Sequence, residues 1–308
     1  MFSKPTARVL AILDLFMSHP SKAYGLTELT RILGLNKATC HAILSTMARY
    51  GFLAQDSRSK AYRLGPSIAA AGMSAFAQFP VLEVARPRLE ALSKELQLGC
   101  GLMGRSGDQL VLLTNYGIPE RLEFPFHQGL RLPNAAPLGA AFIAWSSPNK
   151  LQQWLDSAQA HLPEWDENLD KRLRISVIGI RARGFEVTLI SEAEAALERE
   201  LAKPKENWSL EEVAEHVQHY RESLCRSHYH IDRIEEGRQY QVANIAVPIF
   251  ASGEEPELVI SAGSIRRPVS AQDILAIADR LKLAAKEISE AATATLSYPQ
   301  PDQDPPTA

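Results

Sequence analysis

Residues 29–44 read LTRILGLNKATCHAIL, and this stretch decides the fold of the first part of the chain. It predicts two short helices around a three-residue turn, because Gly34 suits the left-handed residue that ends the first helix and Asn36 suits the N-cap of the second. Apolar residues recur at spacings of three and four in both halves, which is typical of half-buried helices. The second helix then presents an outer face from its first turn, as a recognition helix in the major groove requires. An ordinary helical hairpin is the alternative. The residues expected at DNA are Lys37, Ala38, Thr39, His41 and Ser45.

Two strand candidates follow this pair of helices, at residues 51–54 and 61–64, around the polar tip DSRSK at 56–60. Two strands of this kind form a wing that can lie along the phosphate backbone. We therefore expect Arg58, Lys60 and Arg63 to face phosphates. An amphipathic helix is predicted over residues 7–17, so the order is helix, helix, helix, hairpin. This is the order of a winged helix-turn-helix domain, predicted over residues 1–65.

Charge is distributed unevenly along the chain. Residues 1–80 contain nine Lys or Arg and three Asp or Glu, a net charge of +6, whereas the remainder carries 24 basic and 33 acidic residues, a net charge of −9. A basic first quarter is expected when only the N-terminal domain meets DNA phosphates. Chance variation of a solvated surface is the alternative.

The length of 308 residues fits two compact domains. Three widely separated cysteines imply no disulfide framework, and no apolar run approaches the length of a membrane span. The N-terminus lacks the pattern of a signal sequence. We therefore expect a soluble, cytoplasmic protein without a membrane partner.

The rest of the chain alternates between helical and strand patterns. A linker helix is predicted over residues 66–80, with an apolar stripe that needs a partner, and a second helix over 82–96. Strands are predicted at 100–104, 109–115, 120–126, 242–250 and 258–265. Helices are predicted at 135–146, 151–155, 166–183 and 271–294, and the residues from Pro299 onward are expected to be disordered. The apolar stripe of the linker helix consists of Ile68, Gly72, Ala75, Phe76 and Phe79.

Five motifs, in this order, resemble the IclR family of bacterial transcription regulators. They are LGLNKATCH at 33–41, YRLG at 62–65, ARPRL at 85–89, LPNAAPLG at 132–139 and IAVPI at 245–249. The resemblance implies an α+β protein with a winged helix-turn-helix domain (1–65), a linker helix (66–80), a C-terminal effector-binding domain with a GAF-like antiparallel sheet (81–298) and a tail (299–308). It also implies three partners: double-stranded DNA, a small-molecule effector, and further copies of the chain in a homodimer or homotetramer.

The chain departs from the family pattern in three places. Ala42 stands where the family often has Arg, and Asn244 stands where it often has Cys. In addition, about 45 extra residues intervene at 188–232. Two capping boxes in this insertion, at Ser191–Glu194 and Ser209–Glu212, predict two charged helices separated by Lys203-Pro204-Lys205. These helices form either a lid or an oligomer contact.

The resemblance places the effector on one face of the sheet, beside the loop that contains Pro133 and Gly139. Arg131 and His127 would offer charge to an acidic ligand, and Glu236 matches the family's acidic residue before its strand. The alternative is that these are core or loop residues. The implied effector-binding residues are Arg131, Pro133, Asn134, Ala135, Leu138, Glu236, Val242, Asn244 and Ser261.

Two further patterns contain residue types that could carry out chemistry. The string GCGLMG at 99–104 matches the dinucleotide fingerprint, but here a helix precedes and a strand follows, the reverse of what that site needs. A cluster of His216, His219, Cys225, His228 and His230 has ligand types that hold zinc, although solvated histidines are the simpler interpretation.

No nucleophile elbow or phosphate-binding loop is present. The first hypothesis is therefore a transcription regulator that is not an enzyme, has no cofactor or metal, and responds to an organic or aromatic acid. The second is a metal-binding or enzymatic domain fused to a DNA-binding module.

Overall fold

The computed structural model describes residues 3–19, 21–78, 80–117, 128–162, 165–190, 210–227, 229–231, 233–250, 253–263, 265 and 267–296. The protein is α+β, as predicted, with a helical module at the N-terminus and a six-stranded antiparallel sheet after it. No helix within these ranges is long and apolar enough to cross a membrane.

The N-terminal module consists of three helices and a two-stranded antiparallel hairpin. The helices are α1 (Lys4–Ser18), α2 (Leu26–Ile32) and α3 (Lys37–Arg49), and the strands are β1 (Leu53–Gln55) and β2 (Tyr62–Leu64). All five elements contribute to one small core, in which Phe16 packs edge-on against Tyr24 with ring centroids 5.3 Å apart. The predicted winged helix-turn-helix order is confirmed.

Two helices lead from this module to the sheet: α4 (Pro66–Gln78) and α5 (Pro80–Leu96). Proline begins both helices, where its missing N–H costs no hydrogen bond and its fixed φ suits the first turn. Of the predicted apolar stripe on α4, Ile68 and Gly72 are half-buried and Ala75 is exposed, whereas the side chains of Phe76 and Phe79 lie outside the described residues.

The six-stranded sheet has the order β5-β4-β3-β9-β8-β6. Its strands are β3 (Gly99–Ser106), β4 (Gln109–Tyr116), β5 (Arg131–Pro133), β6 (Glu186–Leu189), β8 (Val242–Ile249) and β9 (Leu258–Gly263). Beside it, β7 (Gln239–Tyr240) pairs with β10 (Val269–Ser270). Alternate side chains of β3, β8 and β9 form the main core with α5 and the closing helix α10 (Ala271–Leu296).

Among the described residues, the opposite face of the sheet is covered by helices over only part of its area, and Asn244 and Ser261 on it are half-buried. Helix α6 (Ala140–Ile143) packs there, followed by α7 (Pro148–Gln159), α8 (Glu167–Arg183) and α9 (Leu210–Arg226). These helices have a core of their own, which includes Trp154, Leu173 and Cys225. The face that they leave partly open is where the sequence predicts a ligand.

The structure corrects two predicted elements. The helix predicted at 135–146 is wrong over its first turns: only Ala140–Ile143 is helical, because Gly139 precedes it with a left-handed φ of 82°. The insertion predicted from residue 188 begins later, since Thr188 and Leu189 belong to β6. Its second predicted helix is confirmed as α9. The first insertion helix, the strand at 120–126 and the tail lie outside the described residues.

Candidate DNA-binding surface and effector site

The recognition helix α3 has one buried face and one free face. Asn36 caps it, with Oδ1 accepting the backbone N–H of Thr39 at 2.8 Å, and Gly34 turns the chain with a φ of 60°. Cys40, Leu44 and Met47 hold the helix against the module's core. On the other side, exposed residues begin at the uncovered N-terminus, where backbone N–H groups favour a phosphate. The predicted DNA residues Lys37, Ala38, His41 and Ser45 are exposed, and Thr39 is half-buried.

The wing between β1 and β2 has an ordered polar tip. The Asp56 carboxylate accepts the backbone N–H groups of Arg58 and Ser59 at 3.0 and 2.7 Å. These bonds hold the pKa of Asp56 below its ordinary value. Lys60 then adopts a left-handed φ of 59° to close the turn. The predicted phosphate-facing residues Arg58, Lys60 and Arg63 are all exposed.

On the open face of the sheet, strand pairing places small and polar residues in two adjacent rows. The first row, here the Glu186 row, runs across β6, β8, β9 and β3 through the partners Glu186, Ala246, Ser261 and Gly101. The second, the His230 row, runs through His230, Thr188, Asn244 and Gly263. Side chains of directly paired residues lie on the same face of a sheet. Because most of these side chains are short, the two rows form a shallow trough.

Contacts along the trough support this arrangement. A Cβ on Gly101 would lie 3.5 Å from Ser261 Oγ, and one on Gly263 would lie 3.3 Å from Asn244 Oδ1. Both glycines therefore leave room beside polar side chains of the same face. Phe142 and Ala141 of α6 pack with Ala246 at one side of the trough. Asn244 and Ser261 are half-buried, so a ligand can reach them.

The only described acidic side chain in these two rows is Glu186, and it is buried. Its Oε2 accepts the Ala141 N–H at 3.2 Å, and its Oε1 lies 3.7 Å from His230 Nδ1. Burial raises the pKa of Glu186 to about 7, against the opposing effects of the Ala141 N–H and the charge of Arg183. Burial and, less strongly, the Arg183 charge lower the pKa of His230 to about 3, while the Val187 backbone opposes them. At neutral pH the imidazole is therefore uncharged.

The loop before α6 is held by side chains from the inserted segment. Arg221 of α9 donates from Nη2 to the Ala136 carbonyl at 3.0 Å, and the Tyr229 hydroxyl donates to the Pro137 carbonyl at 3.1 Å. Both side chains are buried. The insertion therefore fixes two successive carbonyls of the loop that the sequence assigns to the effector. We refer to these two contacts as the loop clamp.

The predicted effector residues lie in different surroundings. Asn244 and Ser261 come together in the trough, and Ala135 and Leu138 lie in the clamped loop with Pro133 and Asn134. Val242 is fully buried in the main core, with the residues that face α5 and α10. Glu236 is exposed in the turn before β7. Arg131 points to the N-terminal module, where its guanidinium lies 3.6 Å from the Asp14 carboxylate of α1. His127 lies outside the described residues.

Sequence reasoning missed two residues of the trough, Glu186 and His230. A signal for Glu186 was present, because a glutamate between Phe185 and Val187 interrupts an otherwise apolar strand. His230 was considered only as a metal ligand. Only its pairing with Thr188 shows that it extends the sheet face.

The alternative sites are not supported by the residues that the structure describes. Within the described ranges, no three His, Cys, Asp or Glu side chains come together as metal ligands. His219 is exposed and Cys225 is buried, while His216 and His228 are outside the described side chains. The string GCGLMG forms strand β3, so no helix N-terminus is available there for a pyrophosphate.

The fold and these surfaces define a winged-helix DNA-binding protein with a second domain built on a six-stranded antiparallel sheet. Residues 5–57 match the model of the IclR helix-turn-helix domain. The chain is 23% identical over 200 residues to the DNA-binding transcriptional repressor YiaJ of Escherichia coli (strain K12), covering 64% of this chain and 68% of YiaJ. The N-terminal module is therefore an IclR-type helix-turn-helix domain, and the chain is similar to transcriptional regulators over about two thirds of its length.

Solved structures agree on the fold. An IclR transcriptional regulator from Alicyclobacillus acidocaldarius superposes with a TM-score of 0.62 at 19% identity, over 95% of this chain and 100% of that one. An IclR homolog from Microbacterium hydrocarbonoxydans complexed with 4-hydroxybenzoate superposes with a TM-score of 0.61 at 17% identity, over 94% of this chain and 100% of that one. The curated relatives match over 42 to 68% of their own length, and they are named as transcriptional regulators, not as enzymes.

Proposed function

We propose that the protein binds an operator through α3 and the wing, and that a small organic acid in the trough changes this binding. The observation that carries the DNA part is the exposed face of α3, which starts at a capped N-terminus and continues into a basic wing. The recognition residues would be Lys37, Ala38, Thr39, His41 and Ser45. A bacterial regulator of this kind would act in the cytoplasm, where the chromosome lies.

The DNA part is tested with an operator selected from a random duplex library. Replacing Arg58 and Lys60 by Ala should weaken binding to every duplex and reduce the slope of log K against log salt by about 2, since each phosphate contact contributes about 0.9. Lys171 and Lys286, exposed on the effector domain, provide the matched control when both are replaced by Ala. Unchanged operator affinity and salt slope in the Arg58 and Lys60 variant would show that the wing does not contact phosphates.

The trough supports the ligand part, because it offers hydrogen-bonding groups above a floor of small residues. The Asn244 amide and the Ser261 hydroxyl can both donate to a carboxylate. The relative bound to 4-hydroxybenzoate makes an aromatic acid a reasonable class for this chain as well. We extend the proposal to the clamped loop, so that Pro133, Asn134, Ala135 and Leu138 form the side of the site nearest α6. Val242 is left out because it faces the core.

The ligand part is tested by titrating organic acids into the protein by calorimetry. For any acid that binds, Asn244→Leu should weaken affinity at least tenfold, because a buried polar contact of the ligand is lost without replacement. Glu254→Gln, at an exposed bend between β8 and β9, is the matched control. Glu236→Gln tests separately the predicted role of that residue. Equal affinities of wild type and Asn244→Leu would place the ligand elsewhere.

We also propose that the protein is a dimer or a higher oligomer that uses α4. Met73 on this helix is 74% exposed, and its neighbours on α4 are mostly small and exposed. Such an apolar surface usually marks an interface. In sedimentation, Met73→Asp should dissociate the assembly, whereas Gln153→Asp on the exposed face of α7 should leave it intact. A wild-type monomer at micromolar concentration would contradict this assignment.

A further inference from the structure

The edge of the trough at β6 contains a polar pair, Glu186 and His230, whose hydrogen-bonding capacity is only partly used. The side chains of His230 and Glu186 are only 5% and 12% exposed, and the 3.7 Å between their nearest atoms is too long for a hydrogen bond. Neither ring nitrogen of His230 makes a hydrogen bond of normal geometry to any described residue. Buried polar groups without partners are rare and costly. An unpaired imidazole at this position therefore needs an explanation.

The position of the pair relates it to the trough rather than to the core. His230 is paired with Thr188, and Thr188 with Asn244, so the imidazole is on the same sheet face as the trough. Glu186 is two residues before Thr188 on β6 and shares that face, whereas Phe185 and Val187 belong to the main core. The backbone around His230 is held in place, since Leu189 donates its N–H to the Tyr229 carbonyl at 2.6 Å.

The chemistry of the pair suits one functional group in particular. A neutral imidazole has one N–H donor and one bare nitrogen acceptor, and the Glu186 Oε1 atom is free of the Ala141 N–H that binds Oε2. A hydroxyl group donates one hydrogen bond and accepts others, so it can satisfy the carboxyl and the imidazole together. A carboxylate has no proton to donate to Oε1, and its charge would be repelled as soon as Glu186 ionises.

We propose that Glu186 and His230 form a hydroxyl-binding subsite in the effector trough, so that the effector is a hydroxylated organic acid. This inference rests on the proposed function and specifies its ligand class. The carboxylate of the ligand binds at Asn244 and Ser261, and its hydroxyl binds at the β6 edge. Because His230 follows α9, the inserted segment supplies part of the ligand's binding site as well as the loop clamp.

The dimensions of the trough agree with this orientation. Glu186 and Ser261 are two strands apart in the same row, so their Cα atoms are about 10 Å apart. Ala246, between them in this row, is covered by Ala141 and Phe142, so a ligand that joins the two ends would run along the His230 row, past Thr188 and Asn244. That distance suits a ring or a chain of about six carbons between a carboxylate and a hydroxyl. An acid with its hydroxyl next to the carboxylate would not reach both ends.

The test uses pairs of acids that differ by one distant hydroxyl: 4-hydroxybenzoate with benzoate, and 6-hydroxyhexanoate with hexanoate. Calorimetry on the full-length protein measures the ratio of dissociation constants within each pair. In the wild type, we expect the hydroxylated member of at least one pair to bind tenfold more tightly. His230→Phe keeps the shape of the ring and should reduce this preference to less than threefold, as should Glu186→Met.

Met103→Leu is the matched control, because Met103 lies on the same face but away from the β6 edge. It should change the affinity for both members of a pair by the same factor. If one of the two subsite variants fails to fold by circular dichroism, the other alone decides the result. The proposal is overturned if no acid of either pair binds at 10 mM, if the wild type has no preference for the hydroxyl, or if the preference survives in a folded subsite variant.

Operator binding is measured separately by fluorescence anisotropy, with and without each of the four acids of the two pairs. A hydroxyl preference that leaves operator affinity unchanged would support the subsite and overturn the proposed regulation. A shift in operator affinity that is the same for both members of a pair would support the regulation and overturn the subsite.

Discussion

The proposed DNA-binding surface and the proposed effector trough are built in opposite ways. The residues assigned to DNA lie on one 13-residue helix and one β-hairpin, and nearly all are exposed. The trough draws on four strands of the sheet and on the inserted segment, and its acid, Glu186, is buried. An exposed surface on one element can be changed without affecting the core. A buried site made from several elements is also part of what holds the domain together.

This difference predicts which substitutions affect stability and which affect only binding. All four tryptophans lie after residue 140, so tryptophan fluorescence reports unfolding of the effector domain. Substitutions in the N-terminal module should leave this signal almost unchanged, whereas substitutions in the trough or the loop clamp should shift it.

The largest expected effect is at the loop clamp. Arg221→Ala removes the hydrogen bonds to the Ala136 carbonyl and to Gln218 and leaves a gap in a buried site. It should lower the free energy of unfolding by about 2 to 4 kcal/mol in denaturant titrations. Arg221→Met fills the space without leaving a buried charge and should lower the free energy of unfolding by less than Arg221→Ala does. The exposed Arg58→Ala variant should stay within about 0.5 kcal/mol of wild type. Equal effects of Arg221→Ala and Arg58→Ala would contradict the contrast between the two regions.

The next effect depends on pH and tests the buried acid. The pKa of Glu186 is raised from 4.5 to about 7, so between these values the folded protein keeps a proton that the unfolded chain has lost. The contribution of Glu186 to the free energy of unfolding of the wild type is therefore fully present below pH 4.5 and is lost as the pH rises to 7. Glu186→Gln cannot ionise and should gain up to about 3 kcal/mol over wild type at pH 8, with little difference at pH 4.5.

Arg183 of α8 and the Ala141 N–H face this carboxyl, and their effects are already contained in its pKa of about 7. His230 also faces it and is present in both proteins. The lowered pKa of His230 acts in the opposite direction, because it removes stability as pH falls from 6.5 toward 3. Denaturant titrations at pH 4.5, 6 and 8 measure the difference. Glu236→Gln removes one exposed carboxylate and controls for net charge. A gain by Glu186→Gln that is the same at all three pH values would contradict the assignment.

The smallest expected effect is at the contact between the two regions. The Arg131 guanidinium and the Asp14 carboxylate are 3.6 Å apart, with side chains 44% and 25% exposed, so the pair is worth less than about 1 kcal/mol. In a double-mutant cycle with Arg131→Ala and Asp14→Ala, operator affinity should change by less than about fivefold, and effector affinity should not change. If Arg131→Ala alone abolished effector binding, Arg131 would be an effector-binding residue, as the sequence predicts.

Elements with a local signal were predicted well from the sequence. Asn36 and Gly34 mark the turn of the recognition helix, and both have the cap and the left-handed φ expected of them. The helix predicted at 135–146 failed because its apolar spacing continues through Pro137 and Gly139. In the structure, the chain up to Gly139 packs as a loop beneath Trp154 and Arg221, and Trp154 donates to the Leu138 carbonyl at 2.7 Å. Those contacts come from distant residues, so local spacing could not show them.

The candidate site residues also differ in whether local sequence or distant contacts decide their place. The sequence by itself determined the DNA-binding surface, because a capped helix with a three-and-four apolar spacing can bury only one face and must expose the other. Through the family resemblance it also predicted Asn244 and Ser261 as effector residues, which stays a prediction. Only the tertiary structure separated Val242 from these two residues, paired Arg131 with Asp14, and brought Glu186 beside His230. These two residues are 44 positions apart, and only strand pairing, in which one residue of shift would turn each side chain to the other face, places both in one trough.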